Sequence, residues 1–223
     1  VTAWAGATSP VRLRGRLDEP LGRWLWLVKW LLALPHLVVL VFLWIAAAVL
    51  TFAAGVAILF TGRYPRSLFD FNLGVMRWTW RVAFYANGVL GTDVYPPFSL
   101  GPEPDYPAQL DIDYPEQLSR GLVLVKWWLL AIPHYLVLTV LTGGFGAGHI
   151  ATGGGLISVL VLIAAVTLAA TRSYPRSLFE LVIGLQRWCY RVLAYVALMR
   201  DEYPPFRLDQ GGADPADPAA SPL

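Results

Sequence analysis

The chain has 223 residues, 57% of them hydrophobic and 14% charged, with a mean hydropathy of +0.54. That balance excludes an ordinary soluble domain of this length and points to lipid as the solvent. A net charge of +2 with no Lys/Arg-dense run excludes a nucleic-acid partner, and the single cysteine, Cys189, excludes an internal disulfide or a cysteine-based metal cluster.

In chain order, the first twenty residues carry Arg12, Arg14, Arg16, Asp18 and Glu19 and lack the apolar core of a signal peptide. Val11 to Leu13 alternates briefly, as Leu110 to Ile112 does later, and both read as short strands outside the membrane. Phe98 to Leu100 and Phe206 to Leu208 alternate too, next to Pro pairs that confine any pairing to an edge. Trp24 to Phe60 is apolar except at Lys29 and Pro35-His36, and it exceeds the ~20 residues of one crossing. The run must kink, tilt or fold back, and Pro35 favours a break: one reading lays Leu21 to Leu34 along the interface with Lys29 reaching for water and sends His36 to Phe60 across. A Tyr-Pro-Arg turn then starts a second helix, Ser67 to Leu90.

Everything in that unit recurs. Arg23 to His36 answers to Arg120 to His134 with one residue inserted, and Thr61 to Asp70 answers to Thr171 to Glu180. Gly74, Arg77-Trp78, Arg81-Val82 and Tyr85 answer to Gly184, Arg187-Trp188, Arg191-Val192 and Tyr195 at one constant offset, and both copies close on Tyr-Pro-Pro-Phe, at Tyr95 and Tyr203. A Gly-rich insertion, Gly143 to Gly155 with His149, interrupts the second long run and allows a hairpin with legs Leu122 to Leu141 and Leu156 to Ala170. The second helix of that copy is expected over Ser177 to Leu198.

Asp70, Gly74, Arg77, Arg81 and Tyr85 fall on one helical face, and Glu180, Gly184, Arg187, Arg191 and Tyr195 repeat it. Each Arg at the centre of a bilayer would cost roughly 2.5–3.5 kcal/mol, so the stripe must face protein, water or headgroups. Phe69, Val75, Met76, Val82 and Leu90 on the other flank take lipid or core. Two readings stand: an interfacial helix whose Arg residues meet lipid phosphates, or two stripes facing each other around an anionic ligand, held by Arg forks on phosphate or carboxylate. Lys29, His36, Lys126 and His134 are polar positions near helix kinks. The lysines suit snorkelling, and the histidines suit structural hydrogen bonds better than a metal or haem. No nucleophile with a base, phosphate loop or metal-ligand spacing is present, so no catalytic residue, metal or cofactor is assigned.

The exposed-loop charges bear on sidedness. Arg63, Arg66, Arg172 and Arg176 lie in short turns, which the positive-inside tendency places in the cytoplasm, whereas the Thr92 to Ser119 linker has six acidic residues and no Lys or Arg. Either each unit crosses twice and the linker lies opposite the Arg turns, or the long runs fold back and all charge lies on one side.

With Arg-x-Leu-x-Leu-Val-Lys-Trp, Pro-His, Tyr-Pro-Arg-Ser-Leu-Phe, Gly-x-x-Arg-Trp and Tyr-Pro-Pro-Phe in order and doubled, the chain resembles the domain of unknown function 4389 family, in a two-copy form found in actinobacteria. The resemblance implies a bacterial inner-membrane protein and brings no activity or catalytic residues. The second copy departs from the first at Arg172-Ser173, where the first has Gly62-Arg63. The expectation is an all-α, polytopic membrane protein: repeat 1 over 10–100, an acidic Pro-rich linker over 101–119, repeat 2 over 120–208 and a disordered tail over 209–223. Its expected role is an accessory, scaffold or assembly component contacting lipids and other membrane proteins. The alternative is a binder or carrier of an anionic lipid or small anion.

Overall fold

The computed structural model describes residues 9–143 and 155–210, so His149, most of the Gly-rich insertion and nearly all of the tail lie outside the described residues. The described chain is mostly helical. Repeat 1 runs β1 (Val11–Gly15), α1 (Trp26–Leu32), α2 (Leu34–Thr61) and α3 (Arg66–Tyr85). Repeat 2 runs β2 (Ala108–Ile112), α4 (Leu122–Val125) continuing as a π-helical turn (Lys126–Leu130), α5 (Ile132–Thr142), α6 (Leu156–Thr171) and α7 (Arg176–Val196).

Local chemistry sets these boundaries. The break between α1 and α2 falls at Ala33, with Pro35 in the first turn of α2, where a missing N–H costs nothing. Gly62 ends α2 in the left-handed region at φ 71°, and Pro65, held extended, starts α3. In repeat 2 the same left-handed position is filled by Arg172 at φ 62°, so the backbone shape survives the loss of Gly at a conformational cost. The one residue inserted between Lys126 and Pro133 is absorbed as the π turn, which widens the helix by one residue and leaves both ends in phase.

Five of the six buried positions of α2 (His36, Ala47, Ala54, Gly55 and Ile58, with Leu40 the sixth) correspond to His134 of α5 and to Ile157, Ala164, Ala165 and Leu168 of α6. A Cβ on Gly155 would lie 2.4 Å from the Gly143 nitrogen, so the two ends meet where the insertion leaves the helix. Helices α5 and α6 thus share the place of α2 instead of forming a separate hairpin.

α2 runs antiparallel along α3: Thr51 meets Asn72, Trp44 donates to Thr79 (3.0 Å), and Leu40 packs with Trp78, Val82, Tyr85 and Ala86. α3 and α7 are in turn antiparallel neighbours, with ring contacts Trp80–Tyr190 (5.6 Å) and Phe84–Phe179 (6.2 Å). Trp80 and Tyr190 are equivalent positions, so this contact lies on a pseudo-two-fold axis. The exchange is reciprocal: the Tyr64 hydroxyl donates to Ala197 O of repeat 2, and the Tyr174 hydroxyl donates to Val89 O of repeat 1.

The strands pair antiparallel with Arg12 opposite Asp111 and Leu13 opposite Leu110, the latter again equivalent positions, on the axis. Val11 and Leu13, with Ala108, Leu110 and Ile112, point inward, as alternation requires. Each strand packs on the other repeat's second helix: β2 on α3 and β1 on α7. Phe98 to Leu100 and Phe206 to Leu208 form no strand; they are return segments, bent by tight turns at Ser99 and Arg207, laid against α3 and α7.

The core is a slab of three layers. The ribbon covers the Arg77 side of α3, and α2 covers the Thr79 and Asn72 side, roughly opposite at 100° per residue. Phe69, Val75, Met76, Val82 and Leu90 are therefore core, with no lipid face on α3. Outward exposure belongs to α2, where Phe42, Phe52 and Phe60 are 68%, 76% and 77% exposed. Among the described residues, α2 is the one helix long and apolar enough to cross a membrane, and the count rises to two if α4 through α5, bent by 45°, is a single span.

Candidate functional site

The polar side chains singled out by the repeat fall into three constellations, each built twice. The first is at the lysines. Lys29 is 2% exposed, and its Nζ bonds Thr92 O (2.6 Å) and Asp93 Oδ1 (2.6 Å) above the Tyr85 ring. Lys126 does the same with Arg200 O (2.6 Å), Asp201 Oδ1 (2.8 Å) and the Tyr195 ring. The snorkelling expectation fails because the chain leaving α3 or α7 folds back over α1 or α4 and supplies a carboxylate inside. These aspartates were missed, although the signal was there: Asp93 and Asp201 precede the two Tyr-Pro-Pro-Phe phrases at the same distance.

The second constellation joins the two remote phrases. Fully buried His36 stacks on Phe98 (3.9 Å) beside Tyr95 (4.8 Å), and its Nδ1 accepts from Trp78 Nε1 (3.0 Å). His134 sits among Phe206 (4.7 Å), Tyr203 (4.6 Å) and Trp188 (5.4 Å). Each Pro-His is thus the floor of an aromatic box closed by its own repeat's Tyr-Pro-Pro-Phe. Among the described residues no group of three or more His, Cys, Asp or Glu could hold a metal.

The third constellation is the Arg stripe. Arg81 donates to Gly101 O (2.9 Å) and to Ser99 O, and Arg191 donates to Arg207 O (2.9 Å) and to Asp209 O. The guanidinium forks clasp backbone carbonyls of the return segments, in place of the phosphate oxygens their geometry also fits. Gly74 and Gly184 make this approach feasible, since a Cβ on either would stand 2.9 Å from Leu100 or Leu208. Arg77 donates to Leu110 O (2.9 Å) and pairs with Asp111 (2.8 Å), while Arg187 donates to Leu13 O (3.1 Å), so each holds the strand of the other repeat. Arg12 bonds Asp113 and Asp111, which raise its guanidinium further above its ordinary value.

The stripes therefore do not face each other around one site. They flank the ribbon in two separate clefts: about 310 Å³ lined by Arg12, Arg14, Arg77, Arg81, Glu103 and Asp111, and about 730 Å³ beside Arg191, Arg200, Arg207, Glu202 and Asp113. Asp70 and Glu180 are exposed at the helix starts and line neither cleft.

Fold and constellations define a class: a duplicated helical unit with a strand-swapped pseudo-two-fold core and a broad outward apolar surface. No curated protein and no solved structure matches it. The chain belongs to the family described as Domain of unknown function (DUF4389), which matches twice, over residues 23–99 and 123–207.

Proposed function

We propose that this protein is a membrane-embedded, non-catalytic component of a bacterial cytoplasmic-membrane complex, acting as a two-fold scaffold or assembly part. The observation that carries the reading is α2, 28 residues long with only 17% of its most apolar window buried, whose outward side chains need lipid or an equally apolar partner. The duplicated polar groups of the two repeats favour it too, since they serve internal closure. Native purification in mild detergent, with identification of copurifying proteins and lipids, tests it. Alkaline release of the chain into the soluble fraction would sink membrane embedding, and isolation without any stoichiometric membrane-protein partner would sink the scaffold.

A second reading, capture of an anionic lipid or small anion, draws on Arg81 Nε and Arg191 Nε, which are buried and lack hydrogen-bond partners beside the two clefts. Under it, Arg77→Gln with Arg187→Gln abolishes copurifying anionic lipid and removes thermal stabilisation by inorganic phosphate. A scaffold keeps its lipid complement through the same change.

A further inference from the structure

The pseudo-two-fold axis restricts how the apolar surface can meet lipid. It passes through the Trp80–Tyr190 contact and through the Leu13–Leu110 pair, so it runs from the helical layer to the ribbon, normal to the slab. The ribbon is seated at mid-length on α3 and α7, where Arg77 and Arg187 bond Leu110 and Leu13. α2 runs alongside α3 for most of its length. If α2 crossed a bilayer upright, α3 and α7 would stand with it, and the ribbon would sit at mid-depth. There the exposed Arg14, Arg16, Asp111 and Asp113 would face acyl chains, the costliest place for charge. The Arg turns would also fall on opposite sides of the membrane, because α3 and α7 are antiparallel.

We propose that the molecule instead lies in one leaflet with its axis along the membrane normal. In this arrangement α2, α5 and α6 rest parallel to the membrane plane with their outward apolar faces among the acyl chains, and the ribbon stands in water. The rim fits: Trp30 and Trp127 are equivalent positions, each more than half exposed, so the axis sets them at one depth, that of the headgroups, and exposed Trp24 and Trp128 lie close by in the same two segments. Exposed Arg23, Arg63, Arg66, Arg120, Arg172 and Arg176 lie at the ends of the outward helices, where anionic headgroups complement them. This placement replaces the multi-pass arrangement that hydropathy by itself suggests, and it rests on the membrane reading above.

The test uses the full chain, confirmed membrane-retained, with Cys189→Ala as background. Ser67→Cys, Ser177→Cys and Gln109→Cys, one in each Arg turn and one on the ribbon, are challenged with an impermeant maleimide on right-side-out and inverted vesicles. All three label from one and the same side if the proposal holds. Opposite sides for positions 67 and 177, or protection of position 109 from both sides, overturns it. Spin labels at Phe42, Phe52 and Phe60 give an independent reading. They share one depth if α2 lies in plane, whereas a depth ramp over the roughly 27 Å they cover along the helix overturns the proposal. Release of the chain from the membrane would instead defeat the membrane reading itself.

Discussion

At the residue scale, the doubled polar positions are structural fasteners, and the chemistry of each predicts what its loss would do. Lys29 is buried with Asp93 as its carboxylate, so Asp93→Ala strands a desolvated ammonium, whereas Lys29→Met removes the charge and keeps the packing. Leaving a buried charge unpaired costs about 3–5 kcal/mol, and that cost falls on Asp93→Ala, because the carboxylate that Lys29→Met leaves behind is 29% exposed and still accepts from the Gly22 N–H. Thermal unfolding in detergent should therefore show Asp93→Ala as clearly the more destabilising change, and equal losses would contradict the burial. Arg172 holds a left-handed backbone that Gly62 holds without a Cβ clash. Arg172→Gly should raise stability by about 1 kcal/mol, read as an upward shift of the melting midpoint. Lys29 was legible as a repeat position and Arg172 as a departure from the repeat; the partner of Lys29 was not, because a carboxylate 64 residues away announces itself only through a second, doubled phrase.

At the element scale, two devices carry predictions. The π turn from Lys126 to Leu130 exists because repeat 2 has one residue more than repeat 1 between lysine and Pro-His. Deleting Trp128 should restore an α-helical turn like α1, moving the midpoint by no more than about 4 °C, the equivalent of ~1 kcal/mol in a chain of this size. Deleting Trp30 from α1, which has no residue to spare, should rotate Lys29 off Asp93 relative to His36 and collapse the fold; circular dichroism melts of the two variants separate these outcomes. Gly74→Ala places a methyl 2.9 Å from both Leu100 Cβ and its carbonyl oxygen, in a seat the Arg81 clasp holds closed. The expected loss is about 1–3 kcal/mol. Helix boundaries near Pro35 and the Tyr-Pro-Arg turns were readable from local sterics. The expected end of α3, Leu90, lies five residues past Tyr85 and that of α7, Leu198, two past Val196, because the chain leaves the helix there to make reciprocal contacts with the other repeat.

At the scale of the whole molecule, the two repeats are not independent beads, since each second helix is completed by the other repeat's strand. Chains cut between Gly101 and Glu103 and coexpressed should reassemble, because the cut lies outside every helix and strand and the interface is reciprocal. Either half expressed alone should aggregate or be degraded, which copurification of differently tagged halves would show; a stable, monomeric half would contradict the swap.

Composition and the doubled landmarks determined by themselves that the chain is apolar, duplicated and helical, since solvent preference and periodicity are properties of local residue content. The short strands were also visible, as alternation is local. What only the tertiary structure decided is where the charge goes. A helical face tells which residues share a direction, but not what lies in that direction. The Arg stripe therefore pointed equally well to phosphate, to the opposing stripe or to backbone carbonyls until the return segments and the exchanged strands were in place.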